Sequence, residues 1–252
     1  MLNDQSFRIG GFVRVDSVNY PGLVACTVFT QGCNFRCPYC HNPSLVGSHV
    51  SGISREEGAT MAQNGDAAKD FEAFTVDKVF DYIKHRHGLL DAVVVSGGEP
   101  CLQAGLLDFL GEVKKLGLRT KLDTNGSFPD KLEKALDEGL LDYVAMDIKT
   151  SVQRYGLLGC LDVDAVKRSV DIVMGKAPCY EFRTTCERGA VSPKDITLIG
   201  QWLKGAKKLY LQRFCPKVTL DGSLGESLQY SYEDLEGFAK ELGAFVDLVK
   251  IR

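Results

Sequence analysis

Gln31-Gly-Cys33-Asn-Phe-Arg-Cys37-Pro-Tyr-Cys40-His-Asn-Pro43 follows directly on the apolar, β-branched run Leu23-Val-Ala-Cys-Thr-Val-Phe-Thr30. A strand emptying into a loop with three thiols in eight residues points to an α/β protein, where reactive groups collect at strand ends. Three thiolates on one short loop can grip three irons of a [4Fe-4S] cube. The fourth iron then has no protein ligand, and an open position marks a catalytic rather than a structural metal site.

The same residues fit three other patterns. Cys37-Pro-Tyr-Cys40-His41 matches a haem attachment site, but such sites go with export and would leave Cys33 idle. A glutaredoxin-like dithiol needs two cysteines in a small domain, not a third cysteine and five further βα-like units. Zinc held by Cys33, Cys37, Cys40 and His41 has a suitable donor set, yet adjacent Cys40 and His41 strain to reach one ion. Cys26, Cys101, Cys160, Cys179, Cys186 and Cys215 have no C-x-x-C spacing and read as small buried hydrophobes.

Outward from the loop, apolar β-branched runs at 23–30, 92–96, 118–123, 142–148, 179–185, 207–213 and 245–250 read as strands. They alternate with helix-like stretches from residue 75 onward, the pattern of a parallel sheet. Val76, Val79, Phe80 and Ile83, then Leu102, Leu106, Leu110 and Val113, recur at the three- and four-residue spacing of core-facing helices. Six or seven such units fall short of eight, so the expected fold is an incomplete (β/α)6 TIM-like barrel, residues 1–252 forming a single domain.

Residues 47–74 break this rhythm; rich in Gly, Ser, Asp, Glu and Lys, they read as a lid, a partner-binding element or a surface insertion. Ser54 and Glu57 there have capping-box spacing, opposed by Gly58. Lys204, Lys207 and Lys208 flank Gly205 and read as a solvated helix-to-strand turn.

The chain has 252 residues, 44% of them apolar and 25% charged, with a net charge of −3. That balance gives no support for nucleic-acid binding. No apolar run approaches the ~18 residues of a membrane span, and the N-terminus lacks a secretory signal. The expected location is therefore cytoplasmic, without a membrane or nucleic-acid partner. No P-loop, G-x-G-x-x-G, H-E-x-x-H or G-x-S-x-G competes as an active site.

Cys33-x3-Cys37-x2-Cys40, with Tyr39 before the third cysteine, resembles the signature of the radical S-adenosylmethionine (SAM) enzymes. Ser96-Gly-Gly-Glu-Pro100 resembles their SAM-amino-binding motif. Tyr20-Pro-Gly22, Asp123-Thr-Asn-Gly126 and Asp147-Ile-Lys149 extend the resemblance to the glycyl-radical activating enzymes, most similar to anaerobic ribonucleoside-triphosphate reductase activating proteins. The likeness runs from about residue 9 to 215, with 47–74 departing from the compact pattern.

The resemblance implies a barrel of the radical SAM type and SAM bound at the cluster's open iron. It also implies hydrogen abstraction from a backbone glycine of a glycyl-radical enzyme, ribonucleotide reductase first, with flavodoxin or ferredoxin as reductant. Gly97 and Gly98 would let backbone approach the SAM ammonium group, and Glu99 would add charge complementarity. Asp123, Thr124 and Asp147 would form a monovalent-cation site, and Lys149 would face the substrate. Arg183 and Gln212 are further SAM contacts, and Tyr39, His41 and Asn42 shape the cluster pocket. Two rivals stay open: a radical SAM enzyme acting on a small molecule, of the deazapurine-biosynthesis type, and an iron–sulfur electron carrier.

Overall fold

A computed structural model describes residues 2–47, 74–86 and 88–252; the expectations for residues 48–73, including Ser54 and Glu57, lie outside the described residues. The chain divides into two compact units. One comprises residues 1–34, 42–124 and 134–143, the other 35–41, 125–133 and 144–252.

In the first unit β1 (Ile9–Asp16) pairs antiparallel with β2 (Ala25–Thr30), and β2, β3 (Ala92–Gly97) and β4 (Arg119–Thr124) run parallel in chain order. Val93, Val94 and Val95 of β3 are fully buried, so the strand is covered on both faces and its uninterrupted β-branched run is what a parallel sheet requires. The predicted stripe of Val76, Val79, Phe80 and Ile83 is the buried face of α1 (Val76–His85), begun where the Thr75 side chain accepts from Lys78 N. The second stripe differs at one end. α2 (Leu106–Lys115) buries Leu106, Phe109, Leu110 and Val113, whereas Leu102 sits 39% exposed in the short turn Pro100–Leu102. Phe109 locks the helices down, stacked on Phe7 at 4.3 Å and tilted against Phe80 at 5.1 Å. Such a buried ring is worth roughly 1.5–3 kcal/mol.

In the second unit β5 (Tyr143–Asp147), β6 (Tyr180–Cys186), β7 (Lys208–Arg213) and β8 (Leu248–Ile251) run parallel in chain order. α3 (Pro129–Asp137), whose residues 134–137 belong to the first unit, precedes β5, and α4 (Val163–Lys176), α5 (Pro193–Trp202) and α6 (Tyr232–Leu242) follow β5, β6 and β7. Capping boxes start the last two, Ser192 with Asp195 and Ser231 with Asp234. The lysine cluster is a turn: Gly205 takes φ +86°, and Lys207 N donates to the Tyr180 hydroxyl at 3.0 Å.

All seven expected strands are present, and the fold is α/β; within each unit the strand pairs are parallel except β1 with β2. That strand was not expected, because Gly10-Gly11 masks its alternation. No helix among the described residues is long and apolar enough to cross a membrane. Of the six cysteines read as buried, Cys26, Cys101 and Cys186 are so; Cys160 and Cys215 are half-buried and Cys179 is exposed, just before β6.

β1 is held to β2 by Asp16, whose carboxylate accepts from Thr27 Oγ1 (2.6 Å), Asn19 Nδ2 (2.6 Å), Val18 N (2.8 Å) and Asn19 N (2.9 Å). Burial alone would raise its pKa, but these donors outweigh burial and hold it below the ordinary 3.8. The resulting stability is present above pH 3.8 and is lost as pH falls below it. Asp16→Ala is expected to lower unfolding free energy by about 2 kcal/mol at neutral pH. Urea titrations should show the gap to wild type closing as pH falls below 3.8.

Candidate active site

In the first unit the ends of β2 and β3 are bound to each other by backbone. Gly98 N donates to Thr30 O (2.9 Å), Glu99 N to Gly32 O (2.8 Å), Gly32 N to Leu45 O (2.7 Å) and Cys33 N to Val46 O (3.3 Å). Gly97 takes φ +117°, and a Cβ on it would lie 2.3 Å from Thr30 N; one on Gly98 would lie 2.0 Å from Gly32 O. Both glycines are required by the chain's own backbone, which fixes the Gly97-Gly98-Glu99 run beside the start of the cysteine loop. Asn42 opens the turn Pro43–Leu45 through its carbonyl, which accepts from Leu45 N (3.0 Å), without a side-chain cap.

Glu99 is fully buried, and its Oε1 accepts from Cys101 N (2.9 Å) and from Thr124 Oγ1 (2.7 Å). Expected as a charge for a ligand, Glu99 also fixes the turn after β3 against the end of β4. Asp123 accepts from Ser96 Oγ (3.1 Å) and pairs with Lys121 Nζ (2.8 Å), both members being buried. Lys121 was not expected; its signal is Lys121-Leu-Asp123, two residues apart and so on one strand face.

In the second unit Cys40 N donates to Cys37 O (3.0 Å), a turn that sets these two thiols close in the loop. Burial is the main cause that pushes the Cys37 thiol up to about 11, with Lys149 pulling it down and Cys40 and Asp147 adding to the rise. The loop is anchored to the segment after β5. Tyr39, buried, donates its hydroxyl to Lys149 O (3.1 Å), while Lys149 N donates to the Tyr155 hydroxyl (3.1 Å). Tyr155 was not expected, having no motif to mark it. Behind it, Ser151 Oγ and Arg154 Nη1 donate to Asp195, and Thr150 Oγ1 donates to Ala190 O (2.6 Å).

Asp147 joins two cations: its Oδ2 meets Lys149 Nζ and its Oδ1 meets Arg183 Nε, each at 2.8 Å. Burial acts to raise the Asp147 pKa, but Arg183 and Lys149 overcome it and bring it to about 2; the same carboxylate raises that of Lys149 against the opposing effect of burial. Gln212 Oε1 accepts from Thr185 Oγ1 at 3.4 Å. Burial lowers the pKa of His41, which packs 6.0 Å from the Phe214 ring and hydrogen-bonds the Val218 backbone.

The expected cation ligands thus already serve other groups: Asp123 is paired with Lys121, Asp147 with Lys149 and Arg183, and the Thr124 hydroxyl with Glu99. Among the described residues no three His, Cys, Asp or Glu side chains are placed to hold one metal ion. A cube makes a different demand, since each thiolate takes its own iron. Cys33, Cys37 and Cys40, none of them in a disulfide, supply the thiols that such a cluster takes.

An α/β protein with three cysteines outside any disulfide on the loop after its first parallel strand, and glycines at the end of the next, has the residues of an iron–sulfur enzyme. The family model of the radical SAM superfamily matches residues 27–174, more than half of the chain. The chain belongs to that superfamily, whose cofactors are a [4Fe-4S] cluster and SAM. MJ1227 of Methanocaldococcus jannaschii, provisionally named a glycyl-radical enzyme activating enzyme, is 28% identical over 251 residues, 97% of this chain and 95% of that one. Pyruvate formate-lyase 1-activating enzyme of Escherichia coli is 34% identical over 145 residues, 56% of this chain and 52% of the relative. The chain therefore aligns with about half of that enzyme's length. The solved structure of native anSMEcpe with bound AdoMet shares the fold, with a TM-score of 0.58 at 16% identity over 85% of this chain and 57% of that one.

Two substitutions test the local geometry. Gly98→Ala is expected to cost about 3 kcal/mol or more, because backbone cannot yield as a flexible side chain would; an unchanged melting temperature would count against the contact with Gly32. Asp147→Asn leaves two cations facing each other and is expected to cost about 3–5 kcal/mol. Adding Lys149→Met should recover part of that loss in the double variant, measured by denaturant unfolding.

Proposed function

We propose that this chain is an activase that abstracts a hydrogen atom from a backbone glycine of a partner glycyl-radical enzyme. The observation that carries the reading is the near full-length similarity to MJ1227, supported by the similarity to pyruvate formate-lyase activating enzymes. When bound, a reduced [4Fe-4S] cluster and SAM would supply one-electron hydrogen-abstraction chemistry, with methionine and 5′-deoxyadenosine as the by-products.

In this reading Cys33, Cys37 and Cys40 hold the cluster, with Tyr39, His41 and Asn42 shaping their loop. Gly97, Gly98, Glu99, Asp123, Asp147, Arg183 and Gln212 are the residues assigned to SAM, and Lys149 is assigned to the glycine-bearing substrate. The Lys149 main chain, bonded at both its N–H and its carbonyl, keeps that side chain's origin fixed while Asp147 holds its charge. Fixed groups favour a radical step, which tolerates no stray hydrogen donor.

The partner we propose is anaerobic ribonucleotide reductase, with flavodoxin or ferredoxin supplying the electron. The support is the sequence resemblance and the lack of a second C-x-x-C group, which fits the minimal type of activase. Anaerobically reconstituted protein, reductant, SAM and the reductase should give a glycyl EPR signal together with an equal amount of 5′-deoxyadenosine. Deoxyadenosine without a glycyl signal on either the reductase or pyruvate formate-lyase would refute the activase reading and favour a small-molecule substrate.

A further inference from the structure

Beyond the end of β7 the second unit carries a cleft of about 780 Å³ that none of the groups above uses. Its wall holds three cationic side chains, Arg213, Lys217 and Arg252, against one carboxylate, Glu226. Arg252 is fixed: it packs 3.4 Å over the Tyr210 ring, and its Nη1 and Nη2 meet the fully buried Glu181 at 3.0 and 3.3 Å. With Arg252 so offset, Arg213 and Lys217, both exposed, outweigh Glu226 and leave the cleft positive. Leu224, half-buried, adds apolar surface between the charges.

Position gives the cleft its meaning. Arg213 ends β7 one residue after Gln212, and Arg252 follows β8, so the cleft lies beyond the ends of these two strands, next to Gln212. The segment forming its wall is fastened to the cysteine loop at three points. Asp221 N donates to Pro38 O at 2.9 Å, His41 hydrogen-bonds the Val218 backbone, and the His41 and Phe214 rings pack at 6.0 Å.

We infer that this cleft is a docking site for an acidic peptide segment of the protein substrate, one carrying Asp or Glu side chains close to the glycine that is acted on. Only the identification of the occupant as a protein segment rests on the activase reading; its negative charge rests on the cleft itself. Carboxylates would meet Arg213 and Lys217 while a neighbouring apolar side chain covers Leu224. Paired charges at an exposed cleft govern selectivity and on-rate and weaken with salt.

The test uses reconstituted holoprotein and short fluorescein-labelled, glycine-centred peptides flanked by Asp/Glu, by Asn/Gln or by Lys, with anisotropy as the readout. The acidic peptide should bind about tenfold more tightly than its amide counterpart, and the preference should shrink on going from about 0.05 to 0.5 M salt. Arg213→Glu with Lys217→Glu should abolish or invert it, while the charge-keeping Arg213→Lys with Lys217→Arg should retain it. Equal binding of acidic and amide peptides, or a preference that survives charge reversal, overturns the inference. Displacement of the acidic peptide by free glutamate at equal concentration would overturn the peptide occupant in favour of a small acid. Acid preference without a glycyl radical on any partner would refute the activase reading and leave the cleft's chemistry standing.

Discussion

Gly98 and Gly32 approach so closely that a single methyl group cannot pass between them, and much of the first unit's geometry follows from that contact. The Glu99 N–H bonded to Gly32 O, and the Gly98 N–H bonded to Thr30 O, fix the Gly97-Gly98-Glu99 turn to the residues immediately before Cys33. Two motifs more than sixty positions apart in the chain thereby become one rigid piece. A backbone-to-backbone contact suits this purpose because it has no rotamer to change, so the Gly97-Gly98-Glu99 turn and Cys33 cannot drift independently.

Electrostatics fix what backbone does not. β4 places Lys121 and Asp123, and the end of β5 places Asp147 and Lys149, each a cation and a carboxylate two residues apart with their charged atoms 2.8 Å apart. Two-residue spacing puts both groups on one face of an extended chain, so each pair forms without help from another element. Arg183 then adds a second cation to Asp147 from the adjacent strand, in the register that sets Asp147 opposite Arg183. Ionised groups held in this way lose little freedom.

Most of the fold was legible because parallel strands buried on both faces announce themselves as runs such as Ala92-Val-Val-Val95. β1 was hidden by Gly10-Gly11, whose missing side chains erase the alternation a half-buried strand otherwise shows, and Leu102 mimicked helical periodicity from inside a turn. At the site, residues in compact motifs were visible, whereas Tyr155, Lys121 and Asp195 were not. Their roles depend on partners far along the chain: Asp195 meets Ser151 and Arg154 more than forty residues away. Glu99 shows the opposite limit. Its motif flagged it as a ligand group, but only the structure reveals that one oxygen already serves Cys101 and Thr124.

The second unit treats the cysteine loop as a structural member and not as a free tether. Tyr39 reaches the Lys149 carbonyl, Arg36 N donates to Leu158 O at 2.7 Å, and Pro38 O accepts from Asp221 N. The loop is thus held by segments that follow both β5 and β7. A catalytic group displaced by an ångström loses much of its effect, and a loop with a single anchor would allow such a displacement. The segment after β7 that supplies one anchor also walls the cationic cleft. That segment's backbone is bonded to the cysteine loop at Pro38, so the wall of the cleft and the loop carrying Cys37 and Cys40 are one connected structure.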